Sequence, residues 1–418
     1  MPSAEPDAAG VGARRAALQM HDAVLRRGQT IDAAGQQVRG LSPPDHALAV
    51  AITGETLRRL PDFDLLIDSA TRQRLPDDSK ARMVLRLALA QKVGLGTAEH
   101  ALVATALPLV DGGPRRLVHG VLGTLLRRGI PPLDAPQLPA AVEDRWREAW
   151  GDEMVEAARR QIAKRPSLDL TFADDSEAQA YQGVSLAPNH VRLKSASVAG
   201  LAGFGEGRWW VQDLSASLPA RLIPANAKVV LDLCAAPGGK TMQLAAAGHK
   251  VTAVDSSRNR LARLGENLER TQLKADLVTA DALNWNPGRQ FDAILLDAPC
   301  SATGTFRRHP EVLYRARPPI IEASADQQRQ LLERAAQWLK PGGVLVYSVC
   351  SLEPAEGEAI VAGFLQRNKD FTASPPGDGE LPRFVAPSAE GWTRVLPGIL
   401  EGQGGLDGFF MVRLVRAG

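Results

Sequence analysis

The first third of the chain carries apolar residues at helical spacing and almost no strand pattern. Apolar side chains recur three or four positions apart in four segments between residues 11 and 128: ARRAALQMHDAVLR, ALAVAITGETLRRL, KARMVLRLALAQKVG and RRLVHGVLGTLLRRG. In the last segment the pattern predicts one apolar stripe made of Leu117, Val118, Val121, Leu122, Leu125 and Leu126. We therefore predict an all-helical bundle over residues 11–130.

A proline-rich segment ends this helical pattern. Four prolines between residues 131 and 139 cannot continue a helix, so we predict a linker over 131–142. A short helical segment follows around Trp146 and Trp150, and then the strand-like segments PSLDLTF, VSLAPNHVRLK and GRWWVQD, with the helix-like SEAQAYQ after the first of them. This mixture of strand-like and helix-like segments predicts a small α+β module over 143–213.

From residue 214 onward, strand-like and helix-like segments alternate with short connections. Runs rich in Val, Ile and Leu predict strands at 229–234, 251–255, 277–280, 291–297 and 343–349. The helical segments between them are TMQLAAAG, RNRLARLGENLERT and DQQRQLLERAAQWLK, the last of which we expect to stop at Pro341-Gly342-Gly343. Such alternation predicts a doubly wound parallel sheet, and hence an α/β Rossmann-like domain over 214–418. Its end, from residue 383 (RFVAP, TRVLPG, GFFMVRLV), predicts added antiparallel strands.

Composition narrows the class of protein. The 418 residues are 44% hydrophobic and 23% charged, with a net charge of +2, so any basic binding surface must be local. We expect a cytoplasmic protein, because no apolar stretch nears membrane-spanning length, no secretion signal is evident, and the three cysteines fit free thiols. The seven scattered histidines form no zinc pattern, so no metal is expected.

The three cysteines share one kind of position. Cys234, Cys300 and Cys350 each end an apolar strand-like run or lie just beyond it. In open parallel sheets, ligands bind beyond the carboxyl ends of the strands. We therefore expect the thiols to meet at one crevice, which favours thiol chemistry over filling of the core.

A glycine turn follows the first predicted strand of this sheet. In LDLCAAPGGKT, residues 231–241, two glycines allow close approach of a ligand, and the amides of the next helix offer hydrogen-bond donors. A Walker A loop requires glycine where Cys234 stands, and the dinucleotide pattern G-x-G-x-x-G is absent. The predicted cofactor-binding residues of the turn are Cys234, Ala235, Ala236, Pro237, Gly238, Gly239 and Lys240.

Carboxylates mark the ends of the next strands. Asp255, Asp281 and Asp297 stand at or near successive strand ends. One such aspartate is equally well explained as a helix cap. Three in register with a glycine turn favour a nucleoside ligand without a phosphate chain. S-adenosylmethionine fits, because it offers ribose hydroxyls, an adenine amine and a cationic sulfonium.

Three motifs on these residues resemble those of a known family. DLCAAPGGKT, DAPCSATGTFRRHPE and YSVCSLEPAEGE resemble the motifs of the RNA (cytosine-5)-methyltransferases of the Nol1/Nop2/Sun family. The helical N-terminal region is similar to the antitermination factor NusB, and the resemblance covers nearly the whole chain. It implies an S-adenosylmethionine-dependent methyltransferase domain that methylates C5 of a cytosine in 16S rRNA, preceded by an RNA-binding NusB-like bundle. We expect a monomer.

The resemblance also implies roles for the two later cysteines. In that family the cysteine of the SVCS motif attacks C6 of cytosine and the cysteine of the PC motif assists resolution, which correspond to Cys350 and Cys300. DNA cytosine methyltransferases use a PC cysteine as nucleophile, so the sequence leaves the order open. Asp297 is expected to hydrogen-bond the N3/N4 edge of cytosine, and Lys240 is a candidate to favour a thiolate. Cys234 is expected to pack against the methionine moiety.

Arginines supply the candidate RNA contacts. Arg307 and Arg308 are expected to hold phosphates beside a flipped nucleotide, extended by Arg315 and Arg317. In the helical bundle, Arg115 and Arg116 return to a face similar to that of Arg127 and Arg128. Both sets are also consistent with plain solvated surface.

Two other functions remain open from the sequence. The same chemistry could act on tRNA or on another rRNA cytosine. A non-catalytic NusB-like RNA-binding or assembly factor is the alternative outside enzymes, although such a factor has no need of Cys300 and Cys350 together. Phe409 and Phe410 are expected in the core rather than as a stacking platform.

Overall fold

The computed structural model describes residues 10–193 and 198–418. The chain forms two compact units: residues 1–165 with 306–315, and residues 166–305 with 316–418. The small-residue N-terminal segment and the end of the predicted strand VSLAPNHVRLK lie outside the described residues. In the described ranges, no helix is both long enough and apolar enough to cross a membrane.

The helices are, in chain order, α1 Val11–Arg27, α2 Ile31–Gln37, α3 Pro43–Arg58, α4 Leu60–Ser69, α5 Lys80–Leu95, α6 Glu99–Ala106, α7 Gly112–Arg128, α8 Ala140–Ile162, α9 Asp175–Ala180, α10 Leu214–Arg221, α11 Gly239–Ala246, α12 Arg258–Thr271, α13 Val312–Arg315, α14 Pro318–Gln337 and α15 Glu358–Arg367. The strands are β1 Leu168–Phe172, β2 His190–Leu193, β3 Trp209–Val211, β4 Val229–Leu233, β5 Lys250–Asp255, β6 Asp276–Thr279, β7 Phe291–Asp297, β8 Leu339–Val349, β9 Phe371–Ala373, β10 Thr393–Val395 and β11 Phe409–Arg416.

The helical unit contains α1–α8, as the periodic apolar pattern predicts for most of its length. Local signals set the ends of these helices: the hydroxyl of Ser79 accepts the Arg82 N–H at 3.3 Å at the start of α5, and Gly96 in left-handed conformation ends that helix. On α7 the predicted stripe is buried at Val118, Val121, Leu122 and Leu125. Leu117 departs from the prediction and is 37% exposed.

Helix α8 belongs to the helical unit, whereas the sequence pattern assigned residues 143–162 to the α+β module. It begins at Ala140, inside the predicted linker, and bends at Gly151. Two arginines bind the carboxyl end of α8. Arg58, the last residue of α3, donates to Ile162 O at 3.2 Å, and Arg59 donates to Ala163 O at 2.9 Å. The contact boundary between the units therefore falls after Arg165.

Residues 306–315 also belong to the helical unit, although the sequence placed them in the catalytic domain. Phe306 packs edge-on against Trp146, with ring centroids 5.4 Å apart. The Tyr314 hydroxyl donates to Leu57 O at 2.8 Å, and the Arg315 Nε donates to Gly28 O at 2.7 Å. This segment is thus a distant part of the chain that completes the helical core.

The second unit begins with the predicted small α+β module. Its three strands form an antiparallel sheet in the order β2-β1-β3, with α9 beside it. The buried carboxylate of Asp169 accepts hydrogen bonds from both the Nε and Nη2 of Arg192 at 2.7 Å. It also accepts the Leu214 N–H at 3.0 Å, which joins this sheet to the first helix of the larger domain.

The larger sheet is the predicted doubly wound α/β sheet. Its order is β10-β11-β8-β7-β4-β5-β6, with β9 paired to β11; strands β4–β8 are parallel and β9–β11 are antiparallel. Alternate residues of β7 enter two different apolar clusters, Ile294 and Leu296 on one side and Ala293 and Leu295 on the other. Burial on both faces explains why these runs are continuously hydrophobic.

Two details of this sheet differ from the sequence prediction. Helix α14 ends at Gln337, and Pro341-Gly342-Gly343 lie inside β8 instead of stopping the helix. The segment RFVAP forms no strand beyond an isolated bridge at Pro387, and β9 occurs at Phe371–Ala373, where no strand was predicted. The positions of these strands depend on pairing with neighbouring strands, because neither segment has a clear apolar period in its own sequence.

Two leucines of α7 test its packing. We expect Leu125→Ala to lower the free energy of unfolding of the helical unit by about 2–5 kcal/mol, because the side chain is 2% exposed and its loss leaves a cavity. Leu117→Ala, on the same helix, is expected to cost less than about 1 kcal/mol. Chemical denaturation of both variants measures the difference, and equal losses would contradict the observed orientation of α7.

Candidate active site

The glycine turn follows β4 directly. Cys234 takes left-handed backbone angles, and Gly238 follows with φ 105° before α11 begins at Gly239. A Cβ on Gly238 would lie 2.1 Å from Leu264 Cδ1, so only glycine fits there. The Ala235 N–H donates to Val254 O at 3.1 Å, which fixes the turn against β5.

Asp255 holds the same turn from the end of β5. Its carboxylate is buried and accepts the Ala236 N–H at 3.1 Å and the Ser257 N–H at 2.9 Å. Arg260 Nη2 lies 3.6 Å from Oδ2, and this guanidinium also donates to Ala236 O, beside the cis peptide to Pro237. The predicted cofactor residue therefore shapes the turn itself, and its role toward a ribose stays a prediction.

Asp281 is the second residue after β6, and its side chain is exposed. Its Oδ1 accepts the Leu283 N–H at 3.0 Å, and its Oδ2 accepts from Asn284 Nδ2 at 2.6 Å. The side chain thus caps its own turn, which is the structural alternative that the sequence left open.

Lys240 and Asp297 form an ion pair at the centre of the edge. Lys240 Nζ donates to Asp297 Oδ2 at 2.8 Å, and the Ser348 hydroxyl donates to Oδ1 at 2.9 Å. The same ammonium lies 5.1 Å from the ring centroid of Phe409. Lys240, the candidate charge for favouring a thiolate, donates its described hydrogen bond to Asp297 and not to a cysteine.

Two of the three thiols lie side by side. Cys350 directly follows β8, Cys300 follows β7 by three residues, and their sulfur atoms are 3.5 Å apart. All three cysteines are free. Hydrogen bonding to the Cys350 thiol, burial and the nearby Glu356 carboxylate raise the pKa of Cys300 well above its usual value. Cys300 therefore stays protonated at neutral pH.

Cys234 has a different environment. Burial, together with the carboxylates of Asp255, Asp297 and Asp232, raises the pKa of Cys234 to about 12. A thiol that holds its proton so firmly is a poor nucleophile, which fits the packing role expected for this side chain.

Two buried carboxylates near the edge were not identified from the sequence. Asp232 lies within β4 and is fully buried; its Oδ2 accepts the Thr241 hydroxyl at 2.5 Å, while Oδ1 has no hydrogen-bond partner in the described part of the chain. Glu356 is also fully buried and accepts hydrogen bonds from Ser301 and Ser351. The signal for Asp232 was available, since an aspartate inside the apolar run VVLDLC is unusual.

The arginines after Cys300 do not form the exposed patch that the sequence predicted. Arg307 is 2% exposed, so its guanidinium is enclosed by protein and is not open to RNA phosphate. Arg308 is half-buried, and Arg315 is bonded within the helical unit. Arg317 is exposed at the start of α14. Phe409 and Phe410 are buried, which confirms their assignment to the core.

The described residues contain no group of three His, Cys, Asp or Glu side chains that could hold a metal ion.

The four arginines of α7 that the sequence offered as RNA contacts are Arg115, Arg116, Arg127 and Arg128. All four are exposed, and Arg128 donates to Ser69 O at 3.2 Å. All four offer their charge to solvent or to a ligand, although Arg127 also donates to Thr124 Oγ1 of the same helix at 3.5 Å and Arg128 contacts the end of α4.

The titration of Asp232 supplies a stability test. Burial raises the pKa of Asp232 from 3.8 to about 7. Because the folded state binds the proton more tightly than the unfolded state, the benefit of that proton is complete below pH 3.8 and is lost as pH rises toward 7. Relative to Asp232→Asn, the free energy of unfolding of the unliganded wild type should fall across this window by up to about 1.4 kcal/mol per pH unit. Urea denaturation at a series of pH values measures it, and a parallel dependence for both proteins would contradict the assignment.

Comparison with known proteins assigns the family. Residues 219–415 match the family described as 16S rRNA methyltransferase RsmB/F. The ribosomal RNA small subunit methyltransferase B of Xanthomonas campestris is 35% identical over 100% of both chains. The protein of the same name from Erwinia tasmaniensis is 32% identical over 96% of this chain and 97% of its own.

Solved structures agree with the fold. The crystal structure of PH0851 superposes with a TM-score of 0.74 at 23% identity and covers 99% of both chains. A methyltransferase homologue from Pyrococcus horikoshii gives a TM-score of 0.55 at 26% identity, over 70% of this chain and 98% of that one. With identity to a relative above 30% along the full length, the chain belongs to the RsmB/F family of 16S rRNA methyltransferases, within the Nol1/Nop2/Sun RNA (cytosine-5)-methyltransferases, and is an rRNA methyltransferase enzyme.

Proposed function

We propose that this protein transfers the methyl group of S-adenosylmethionine to C5 of a cytosine in 16S rRNA through a covalent cysteine–C6 adduct. The observation that carries the proposal is the 3.5 Å separation of the Cys300 and Cys350 sulfur atoms at the carboxyl edge of the parallel sheet. The alternative of a pure RNA-binding factor does not require two adjacent thiols at that edge.

The chemistry explains the need for two thiols. C5 of cytosine is a poor nucleophile until a group adds to C6 and moves electron density onto C5. A thiolate is suitable because it adds readily and leaves readily. After C5 has gained the methyl group, a base removes the C5 proton, the C5–C6 double bond reforms and the C6–S bond breaks, returning its electron pair to sulfur.

The family resemblance supplies the order in which the two thiols are used. The cysteine of its SVCS motif, here Cys350, attacks C6, and the cysteine of its PC motif, here Cys300, assists resolution. Cys300 lies in contact with Cys350, and so is suited to exchange a proton near the adduct rather than to form it. We therefore assign attack on C6 to Cys350 and assistance in resolution to Cys300.

Asp297 is the proposed contact to the base. Its Oδ2 is paired with Lys240 and its Oδ1 with Ser348, while the carboxylate keeps 30% of its surface exposed. A carboxylate held from two sides can accept a hydrogen bond from the exocyclic amine of cytosine and orient the ring. Lys240 in this arrangement orients Asp297 and balances its charge.

The residues at the edge fit S-adenosylmethionine. The proposed holders are the turn from Cys234 to Lys240 together with Asp255, Asp281 and Asp297. When bound, this molecule supplies an electrophilic methyl group. Carboxylates suit its cationic sulfonium and amine, and the free Oδ1 of Asp232 is a buried acceptor in the strand that leads into the turn.

The helical unit is the proposed RNA-docking part. Arg115 and Arg116 occupy the exposed first turn of α7, and an exposed arginine there can contact phosphate without a conformational change. We propose that this NusB-like bundle holds 16S rRNA, that the enzyme acts in the cytoplasm, where rRNA is assembled, and that it works as a monomer.

Single cysteine variants test the order of the thiols. Cys350→Ala should neither methylate RNA nor form a covalent complex, because the attacking sulfur is gone. Cys300→Ala should form the adduct and fail to resolve it, so that RNA remains bound to protein. Denaturing gel electrophoresis after incubation with 16S rRNA and S-adenosylmethionine separates the outcomes.

Cys234→Ala is the matched control and should not trap RNA. Trapping by Cys350→Ala instead would reverse the two roles. Bisulfite sequencing of RNA from a deletion strain identifies the substrate, and loss of 5-methylcytosine from tRNA alone would overturn the assignment to 16S rRNA.

Charge reversal on α7 tests RNA docking. Replacing Arg115 and Arg116 with Glu should weaken binding of 16S rRNA fragments and reduce the slope of log affinity against log salt by about 1 or more, since phosphate contacts release counterions. Filter binding at several salt concentrations measures both quantities. Reversal of Arg39, an exposed arginine between α2 and α3, provides the control, and an equal effect of the two changes would remove α7 as a specific docking face.

A further inference from the structure

The loops that carry the two reactive cysteines are joined by one buried carboxylate. Ser301 follows Cys300, and Ser351 follows Cys350. The Ser301 N–H donates to Glu356 Oε1 at 2.8 Å, and the hydroxyls of Ser301 and Ser351 both donate to Oε2. A single side chain therefore contacts the residue next to each thiol.

Gln328 of α14 adds a third connection. Its Nε2 donates to Glu356 Oε1 at 3.2 Å and to Pro299 O at 2.8 Å. Pro299 immediately precedes Cys300, so this cysteine is held on both sides, through the carbonyl before it and the amide after it.

Further bonds close the same cluster. Thr303 Oγ1 accepts the Leu352 N–H at 2.9 Å, and the Gly304 N–H donates to Cys350 O at 3.0 Å. These bonds join the chain after Cys300 to the chain after Cys350 directly. Glu356 lies at their centre with no exposed surface.

The chemistry of the site calls for a carboxylate. Four donors converge on Glu356: one backbone amide, two hydroxyls and one side-chain amide. An ionised carboxylate has about four acceptor positions and no donor, so it satisfies all four. A glutamine of the same shape would place its own N–H groups against these donors. Burying a charge is costly unless it is hydrogen-bonded in this way.

We infer that Glu356 is a positioning residue that holds the Cys300 and Cys350 sulfur atoms side by side for successive use. The chemical role of the two thiols in this inference rests on the proposed function, whereas their placement rests on the geometry alone. In the described contacts the Glu356 carboxylate accepts hydrogen bonds from Ser301, Ser351 and Gln328, so it acts on the cysteines through the residues that follow them. The negative charge of Glu356 also contributes to keeping Cys300 protonated.

The test measures thiol placement separately from methylation. Diamide oxidises two adjacent thiols to a disulfide: each sulfur loses a proton and an electron, and the diazene takes up both hydrogens to become a hydrazine. We expect Glu356→Gln to slow formation of the Cys300–Cys350 disulfide by about tenfold, because the loops lose their common acceptor and the sulfurs their preset proximity. Peptide mass spectrometry at timed intervals gives the rate.

Enzyme kinetics supply the second readout. Glu356→Gln should lower kcat by about 10²-fold and leave KM for S-adenosylmethionine and for RNA within twofold, because positioning is lost and binding is not. In the Cys300→Ala background, the same change should slow covalent trapping of RNA. Ser351→Ala, which removes one donor with little change in volume, should produce the same pattern more weakly.

Asp169→Asn is the matched control, since it also removes a buried charged acceptor from the same unit. It should lose comparable stability while retaining the wild-type disulfide rate and kcat. A disulfide rate in Glu356→Gln that matches this control, or exceeds the wild type, would overturn the inference. If Cys300→Ala protein traps no RNA yet the disulfide rates differ as expected, the proposed function fails and the positioning role stands.

Discussion

The parallel pairing of β7 with β8 is the constraint on which the active site depends. Asp297 is paired in register with Ser348, and Cys300 and Cys350 follow at the same edge. Because side chains alternate across a strand, a slip of one residue would turn Ser348 away from Asp297 and separate the sulfur atoms. The apolar faces of both strands oppose such a slip, since it would expose residues that now enter the two clusters of the sheet.

Carboxylates organise the rest of this edge, each through different donors. Asp255 fixes the glycine turn, Asp297 pairs with Lys240, and Glu356 joins the cysteine loops. Burial, with the negative charge of Asp255 and Asp297, raises the pKa of Cys234 and Asp232. A cationic ligand relieves the mutual repulsion of such groups, whereas a phosphate chain would add to it.

The sequence predicted the parts of the structure that have a local pattern. Strands β4–β8, the glycine turn and the strand-end positions of Cys300 and Cys350 follow from apolar runs and small residues. It did not predict which unit α8 joins, because an amphipathic face does not identify its partner. The contact of Lys240 with Asp297 and those of Glu356 were not predicted for a similar reason, since each is a hydrogen bond across the fold.

Residues 306–315 belong to the helical unit although they lie within the sequence of the catalytic unit, so neither unit is continuous in the chain. The backbone leaves the catalytic unit at Thr305, only five residues after Cys300, and rejoins it at Ala316. No single cleavage point can therefore yield two intact modules. A gene fragment that begins at Pro166 would carry Phe306 and Tyr314 without the helices they pack against, and one that ends at Arg165 would lack that piece of its own interior. During synthesis, the helical unit is complete only when nearly 150 residues beyond Arg165 have been added to the chain.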